Sequence, residues 1–173
     1  MQSALPARRS FLRGSMRAVA AAIRPPWALG EAEFISACTR CDACIDACPT
    51  SILMRADGGF PGVDFSRGEC TFCADCVTAC EPRALVRVLD EPAPWALRAQ
   101  IGRACLAEAG VECRVCGERC PTVAIRFRPR LGGVALPQLD AAACTGCGAC
   151  FAPCPTRAIL IKAGNEIPTE SEQ

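Results

Sequence analysis

Residues 38–49 read CTRCDACIDACP, and this stretch decides the fold because its four cysteines have the spacing CxxCxxCxxxC and end in Cys-Pro. The spacing returns at 70–80 and at 144–154, while a further group at 105–120 has its first cysteine eight residues before the second. All sixteen cysteines of the 173-residue chain fall into these four groups. In chain order they are Cys38, Cys41, Cys44, Cys48; Cys70, Cys73, Cys76, Cys80; Cys105, Cys113, Cys116, Cys120; and Cys144, Cys147, Cys150, Cys154.

Such cysteine groups allow three interpretations. An even and high cysteine count suits a secreted disulfide scaffold, although such scaffolds do not usually repeat a tight CxxCxxCxxxC run. Four zinc sites are the second alternative, but a zinc ribbon uses two CxxC pairs separated by a longer loop. The run with its Cys-Pro ending is typical of bacterial [4Fe–4S] proteins. We therefore interpret the groups as cluster motifs.

The spacing has a geometric reason. Cysteines at i, i+3 and i+6 let a short loop wrap one corner of a cubane, with backbone N–H groups turned toward its sulfur. The fourth cysteine begins the next helical segment and reaches the other cluster of a pair. We predict four [4Fe–4S] clusters in crossed ligand sets, although the long spacing of the third group leaves the role of Cys105 open. The sets are Cys38, Cys41, Cys44 with Cys80; Cys70, Cys73, Cys76 with Cys48; Cys105, Cys113, Cys116 with Cys154; and Cys144, Cys147, Cys150 with Cys120.

The cysteine groups also divide the chain. The step between the second and third groups is the widest and contains Pro92 and Pro94, which mark a boundary. We expect an α+β fold of two tandem bacterial-type 2[4Fe–4S] ferredoxin-like modules with short strands and helices. The predicted divisions are a basic N-terminal arm at 1–30, a first module at 31–90, a linker at 91–104, a second module at 105–164 and a polar tail at 165–173.

Each module has the same predicted plan. A short helical turn follows the fourth cysteine and leads into a strand, as in CPTSILM and CPTVAIRFR. The chain then turns back at Gly58-Gly59 or Gly132-Gly133, which predicts a hairpin between the paired motifs. Four apolar side chains are expected to pack on the clusters and shield them from water: Ile52, Leu53, Ile125 and Phe127.

The composition indicates that metal binding holds the fold. Leu, Ile, Val and Phe together number 37 of the 173 residues, and small cores usually need disulfides or metal. The chain has no His, which excludes Ser-His-Asp triads, His general bases, His-ligated haem and Rieske centres. It also has no GxGxxG motif, no P-loop and no apolar stretch of 18 residues that could span a membrane. We predict that it is not an enzyme.

Charge is unevenly distributed along the chain. Residues 1–30 carry five arginines and no acidic residue, so the remainder has 14 basic and 18 acidic residues. Each [4Fe–4S]2+ cluster with four thiolates adds about −2, which takes the formal charge of the predicted holo-protein from +1 to about −7. An acidic body with a basic arm argues against nucleic-acid binding. The five arginines are Arg8, Arg9, Arg13, Arg17 and Arg24.

The arm contains the sequence RRSFLR at 8–13, which is similar to a twin-arginine export signal. The apolar stretch that follows has six residues, which is shorter than a signal h-region, and it ends at Arg24-Pro25-Pro26 rather than at a small-residue cleavage site. We predict an uncleaved docking arm that is partly helical from Phe11 to Ile23. Export through this segment and a solvated arm without function are the alternatives.

Taken together, these stretches resemble the NapF family of ferredoxin-type proteins, which accompany the periplasmic nitrate reductase system. The resemblance covers almost the whole chain, and the unusual third cysteine group is its most specific part. It includes RRSFLRG at 8–14, IRPPW at 23–27, CTRCDACIDAC at 38–48, GGFPGVDF at 58–65, CLAEAGVECRVCGERCPTVAIRFRP at 105–129 and CTGCGACFAPCP at 144–155.

The resemblance implies a cytoplasmic iron–sulfur protein without a cleaved export sequence. Its partner would be the precursor of the nitrate reductase catalytic subunit, which it would help to mature before export, by cluster assembly or by electron supply. The cysteine motifs also allow a general electron-transfer ferredoxin in a redox chain, because both roles need buried clusters. The basic arm favours the docking role, because a diffusing electron carrier rarely needs one.

Overall fold

A computed structural model of the chain describes residues 22–88 and 94–163. The helices are short: α1 is Glu31–Ala37, α2 is Ala43–Asp46, α3 is Asp75–Thr78 and α4 is Val115–Glu118. Each of α2, α3 and α4 contains the third cysteine of its motif and ends before the fourth. The helical turn predicted after the fourth cysteine is a hydrogen-bonded turn and not a helix. The strands are β1 Leu53–Arg55, β2 Pro61–Val63, β3 Leu97–Ile101, β4 Ile125–Arg130, β5 Gly133–Leu139 and β6 Ile159–Ala163. In the described part of the chain, none of the helices has the length and apolar character needed to cross a bilayer.

The strands form three two-stranded antiparallel sheets. Strand β1 pairs with β2, and β4 pairs with β5, so each module contains the hairpin that the glycines predict. Gly58 and Gly59 have φ values of 71° and 77°, and Gly132 has a φ of 70°. Glycine adopts this left-handed region without a steric penalty, which is why the chain turns back at these positions.

The third sheet joins β3 to β6, the last strand of the second module. Its register runs from Leu97 opposite Ala163 to Ile101 opposite Ile159. Strand β3 lies inside the segment predicted as a linker at 91–104, so five of the eleven described residues of that segment, 94–104, belong to a sheet. The sequence LRAQI at 97–101 alternates apolar and polar residues, which is typical of a strand. Its partner strand β6 lies far along the chain, so the pairing itself has no local signal.

The described end of the predicted arm packs on the first module. The Val63 N–H donates to the Ile23 carbonyl at 2.8 Å, and Ala28 forms a β-bridge with Leu85. Residues 22 and 23 are not helical, and the rest of the predicted arm helix lies outside the described residues, as does the polar tail at 165–173. The structure therefore places residues from at least Ile23 onward with the first module rather than with a separate arm.

Two small cores hold the fold, and both include cysteine side chains. The first contains Phe34, Ile52, Leu85 and the buried Cys44 and Cys76. The second contains Ala99, Ile125, Ile159 and the buried Cys116 and Cys150, together with Phe65. Phe65 lies in the first module by sequence but packs in the core of the second. Short strands and helices around two cysteine-containing cores agree with the predicted α+β class.

Candidate metal centres

Four cavities in the protein are each lined by one set of four cysteines. Including the parts open to solvent, their empty volumes lie between 310 and 340 Å³. Site 1 is lined by Cys38, Cys41, Cys44 and Cys80; site 2 by Cys48, Cys70, Cys73 and Cys76; site 3 by Cys105, Cys113, Cys116 and Cys154; and site 4 by Cys120, Cys144, Cys147 and Cys150. The structure thus brings together the same crossed sets that the sequence predicts, with Cys105 among them.

The three regular loops, in sites 1, 2 and 4, share a backbone conformation around their middle cysteine. The residues before and after it both have a left-handed φ while the cysteine itself has a negative φ, so the sign of φ alternates along the loop. Such alternation turns successive N–H groups toward one concave side, which favours a bound anion. The residues and φ values are Arg40 59° and Asp42 65°, Phe72 54° and Ala74 66°, and Gly146 72° and Gly148 84°.

The loop of site 3 is built differently. After its cysteine Cys113, Arg114 has a φ of −130°, which is not left-handed. Cys105 reaches the cavity from a separate upstream turn, in which the Cys105 N–H donates to the Gly102 carbonyl at 3.1 Å. The long spacing in the sequence therefore corresponds to a different loop around the same number of thiols.

A common turn aims each fourth cysteine at the neighbouring site. Three residues after it, a non-glycine residue adopts a left-handed φ between 53° and 56°, and its N–H donates to the carbonyl of that cysteine at 3.1 Å. The four pairs are Ser51 with Cys48, Arg83 with Cys80, Val123 with Cys120, and Arg157 with Cys154. The turn persists even at Cys80-Glu81-Pro82, where the Cys-Pro ending is displaced by one residue.

Three of the four crossing cysteines also contact a threonine hydroxyl. The Sγ–Oγ1 distances are 3.6 Å from Cys48 to Thr50, 3.6 Å from Cys120 to Thr122 and 3.9 Å from Cys154 to Thr156. Burial acts to raise the pKa of these three thiols, but hydrogen bonds from the threonines and from backbone N–H groups outweigh it and lower the pKa. Cys80 has Pro82 at the corresponding position, so site 1 lacks this threonine.

Five other thiols have a raised pKa. Burial raises the pKa of Cys44, Cys70 and Cys116 to about 11, and that of Cys76 and Cys150 to about 12. These groups therefore hold protons when no metal is bound, and a metal centre must displace those protons because a thiolate is the ligand. Thiolates are the ligands that zinc and iron–sulfur clusters prefer.

The arrangement of the cysteines fits a cluster better than a single ion or a disulfide. All sixteen thiols are free. Across residues 22–88 and 94–163, no three Cys, Asp or Glu side chains are grouped so as to hold one metal ion. Each quartet instead surrounds a larger space, which a cubane with thiolate ligands on four irons would require. The donor set and the alternating φ signs of the three regular loops thus fit [4Fe–4S].

The apolar side chains predicted to shield the metal do line the cavities. Ile52 and Leu53 line site 2, Ile125 lines site 4 and Phe127 lines site 3. Burial and hydrogen bonding to sulfur are the means by which a protein sets the potential of a cluster. The apolar side chains that line these cavities provide the burial, and the threonines and backbone N–H groups provide the hydrogen bonds to sulfur.

Comparison with known proteins agrees with this geometry. The 4Fe-4S dicluster domain family matches residues 37–84 and again residues 111–158, one match in each module. These matches and the cysteine sites define a ferredoxin-type iron–sulfur protein that binds [4Fe–4S] clusters and transfers electrons. No solved structure matches the chain.

Individual similar proteins narrow the family further than the domain match does. The ferredoxin-type protein NapF of Escherichia coli K12 is 49% identical over 152 residues, which cover 88% of this chain and 92% of that protein. NapF of Haemophilus influenzae is 44% identical over 165 residues, with 89% and 92% covered. The methylamine utilization ferredoxin-type protein MauM of Methylophilus methylotrophus is 35% identical over 151 residues, with 78% and 67% covered. The chain belongs to the NapF family of ferredoxin-type proteins.

Sequence reasoning missed two features of the sites. The threonine two residues after the crossing cysteine is visible as CPT in three motifs, and that repetition could have indicated its contact with sulfur. The second feature is the contribution of β3, whose Ala99 N–H donates to Cys144 Sγ at 3.4 Å. No local signal in the predicted linker points to this bond, because it depends on the pairing of β3 with β6.

Replacing Thr122 by Val removes the hydroxyl beside Cys120 with little change in volume. A thiolate ligand has no proton, so the hydroxyl donates to it and stabilises the more negative, reduced state of site 4. We expect T122V to lower the midpoint potential of that site. A difference of about 1 kcal/mol in bond strength between the two redox states corresponds to roughly 40 mV for one electron.

Redox titration followed by electron paramagnetic resonance measures this shift. Thr122→Ser keeps the hydroxyl and is expected to keep the potential, which separates the hydrogen bond from a change in packing. Identical potentials in the wild type and in T122V would show that the hydroxyl does not act on the ligand.

Proposed function

We propose that this protein carries four [4Fe–4S] clusters, one at each of sites 1 to 4, and that it assists the maturation of the periplasmic nitrate reductase catalytic subunit before export. The observation that carries the cluster count is the grouping of all sixteen cysteines into four crossed quartets, each around its own cavity. Membership of the NapF family supports the link with nitrate reductase.

Each part of a site has a distinct task in this proposal. The clusters supply one-electron redox chemistry when they are bound. The cysteine thiolates would hold the iron, and N–H groups of the cysteine loops would stabilise negative charge on the sulfur. Apolar side chains such as Ile52 and Phe127 exclude water. The threonine hydroxyls and backbone N–H groups stabilise negative charge on the crossing thiolates.

The proposed partner is the unexported precursor of the reductase, bound through an acidic surface of its own. Among the arm's arginines, Arg24 is already engaged: its guanidinium Nη2 lies 2.6 Å from Glu31 Oε1, and this bond lowers the pKa of Glu31. Docking by the arm therefore rests on Arg8, Arg9, Arg13 and Arg17, which lie outside the described residues.

The proposed compartment is the cytoplasm. The sixteen free thiols and the clusters they would hold favour a reducing environment, where thiolates stay available for metal. The short apolar stretch before Arg24-Pro25-Pro26 argues against cleavage after an export signal. Recovery of the protein from the periplasm without its first thirty residues would contradict this part of the proposal.

A general role in electron transfer is the second candidate. The similarity to MauM, named for methylamine utilization, shows that relatives of this chain carry names from a different redox system. In that case the protein would serve several redox partners, and its affinity for the reductase precursor would not depend on the arm.

The proposed cluster count predicts about sixteen irons and as many labile sulfides per chain. Metal and acid-labile sulfide analysis of protein purified without oxygen measures both. A content near half of this value would limit the clusters to one module. Zinc in place of iron would overturn the assignment of all four sites.

Replacing both Arg8 and Arg9 with Gln is expected to weaken capture of the reductase precursor by the full-length protein and to leave the iron content unchanged. The loss should shrink as salt rises, because exposed charges are screened beyond about 10 Å at 0.1 M ionic strength. Pull-down of the precursor at low and at high salt measures this.

The matched control removes the same charge elsewhere. Arg126 and Arg128 are exposed on β4, and replacing both with Gln changes the net charge by the same amount. Equal loss of capture in the two double variants would show a general charge effect. Undiminished capture by the arm variant at low salt would contradict a docking role for the arm.

A further inference from the structure

Sites 2 and 4 meet where the two modules pack together. The Cys70 N–H, in the loop of site 2, donates to the Cys147 carbonyl, in the loop of site 4, at 2.8 Å. A cysteine that lines a site of one module is thus hydrogen-bonded through its backbone to a cysteine that lines a site of the other. No corresponding bond joins sites 1 and 3 within the described ranges.

An aromatic cluster reinforces this contact, with Trp95 at its centre. The indole N–H of Trp95 donates to the Thr145 carbonyl in the loop of site 4 at 2.8 Å. Its ring meets Phe72, in the loop of site 2, edge to face with a centroid distance of 5.8 Å. It meets Phe65 in the same way, also at 5.8 Å. One side chain therefore touches both inner cluster loops.

The loop of site 4 is shaped to receive Phe65. Gly148 has a φ of 84°, and a Cβ built on it would lie 2.0 Å from Phe65 Cδ1. Any larger residue must displace the ring, since real Cβ atoms do not approach so closely. Phe65 is 4% exposed and packs in the second module's core, so this close fit joins the modules.

We propose that this junction makes the two modules a single electron path, with sites 2 and 4 in its middle and sites 1 and 3 at its ends. Within each module the sites are linked by the exchange of crossing cysteines, Cys48 with Cys80 and Cys120 with Cys154. A one-electron donor protein would act at one end and a one-electron acceptor at the other. The inference rests on the proposed function, because it requires a cluster at every site.

The path has consequences for the roles of the modules. Two independent modules would each accept and release electrons at their own surfaces. A joined pair instead places donor and acceptor on opposite modules, so that both can be bound at once. In this arrangement Trp95, Phe65 and Gly148 are positioning residues, because they hold the inner loops together and do not ligate metal.

Gly148→Ala tests the junction by displacing Phe65. Gly110→Ala is the matched control, because Gly110 has a similar φ of 81° and nothing within 4 Å of its added Cβ. Electron paramagnetic resonance of the fully reduced proteins reports magnetic coupling between neighbouring clusters. We expect G148A to lose the coupling between modules, and G110A to keep the wild-type spectrum.

A second pair of variants covers the case in which G148A fails to load site 4. Trp95→Ala removes the ring that touches both loops. Trp27→Ala removes a ring that lines site 2 and meets the same Phe72 ring at a centroid distance of 6.4 Å, and iron analysis checks that this control still loads site 2. We expect W95A to show weaker coupling and a several-fold slower equilibration of electrons between modules after pulse reduction. W27A should retain the coupling.

Two further readouts make the outcome decisive. Faster amide hydrogen exchange at Cys70 shows that a variant has opened the junction, and iron analysis shows whether all sites are loaded. Loaded protein with an opened junction and unchanged coupling would overturn the proposed path while leaving the cluster count intact. An iron content near half of the expected value in the wild type would instead overturn the proposed function itself.

Discussion

The crossing of the fourth cysteine is the constraint on which this structure depends. Each site takes three thiols from one loop and one from the neighbouring motif, so neither motif of a pair is complete alone. The hairpin between the motifs must bring the second loop back to the first, and the left-handed turn after the crossing cysteine must aim it there. Short helices and strands suffice, because metal binding by the thiols supplies folding free energy that a larger apolar core would otherwise provide.

The sites are linked at two levels, by different means. Within a module, crossed cysteines link two sites. Between modules, the link is a backbone hydrogen bond from Cys70 to Cys147 and an aromatic contact around Trp95. The surface charges follow the division into modules: residues 22–88 contain six basic and nine acidic residues, whereas 94–163 contain nine and four.

The parts of the fold that the sequence reveals are those set by local spacing. The cysteine intervals predict the quartets because a cubane demands the same short loop each time, and Gly58-Gly59 predicts a hairpin because it supplies left-handed backbone. The pairing of Leu97–Ile101 with Ile159–Ala163 and the fit of Phe65 against Gly148 could not be predicted in this way. Both depend on contacts between segments far apart in the chain, which no local pattern reports.

The central claim is that metal binding organises the fold, and removal of the metal tests it most directly. Iron is extracted from the anaerobically purified protein with a chelator, and the far-ultraviolet circular dichroism is compared before and after. The cavities contain buried thiols, and the cores around them are small, so we predict that the secondary structure collapses and that no cooperative melt remains. An apo-protein with an unchanged spectrum and a cooperative melt would contradict the claim.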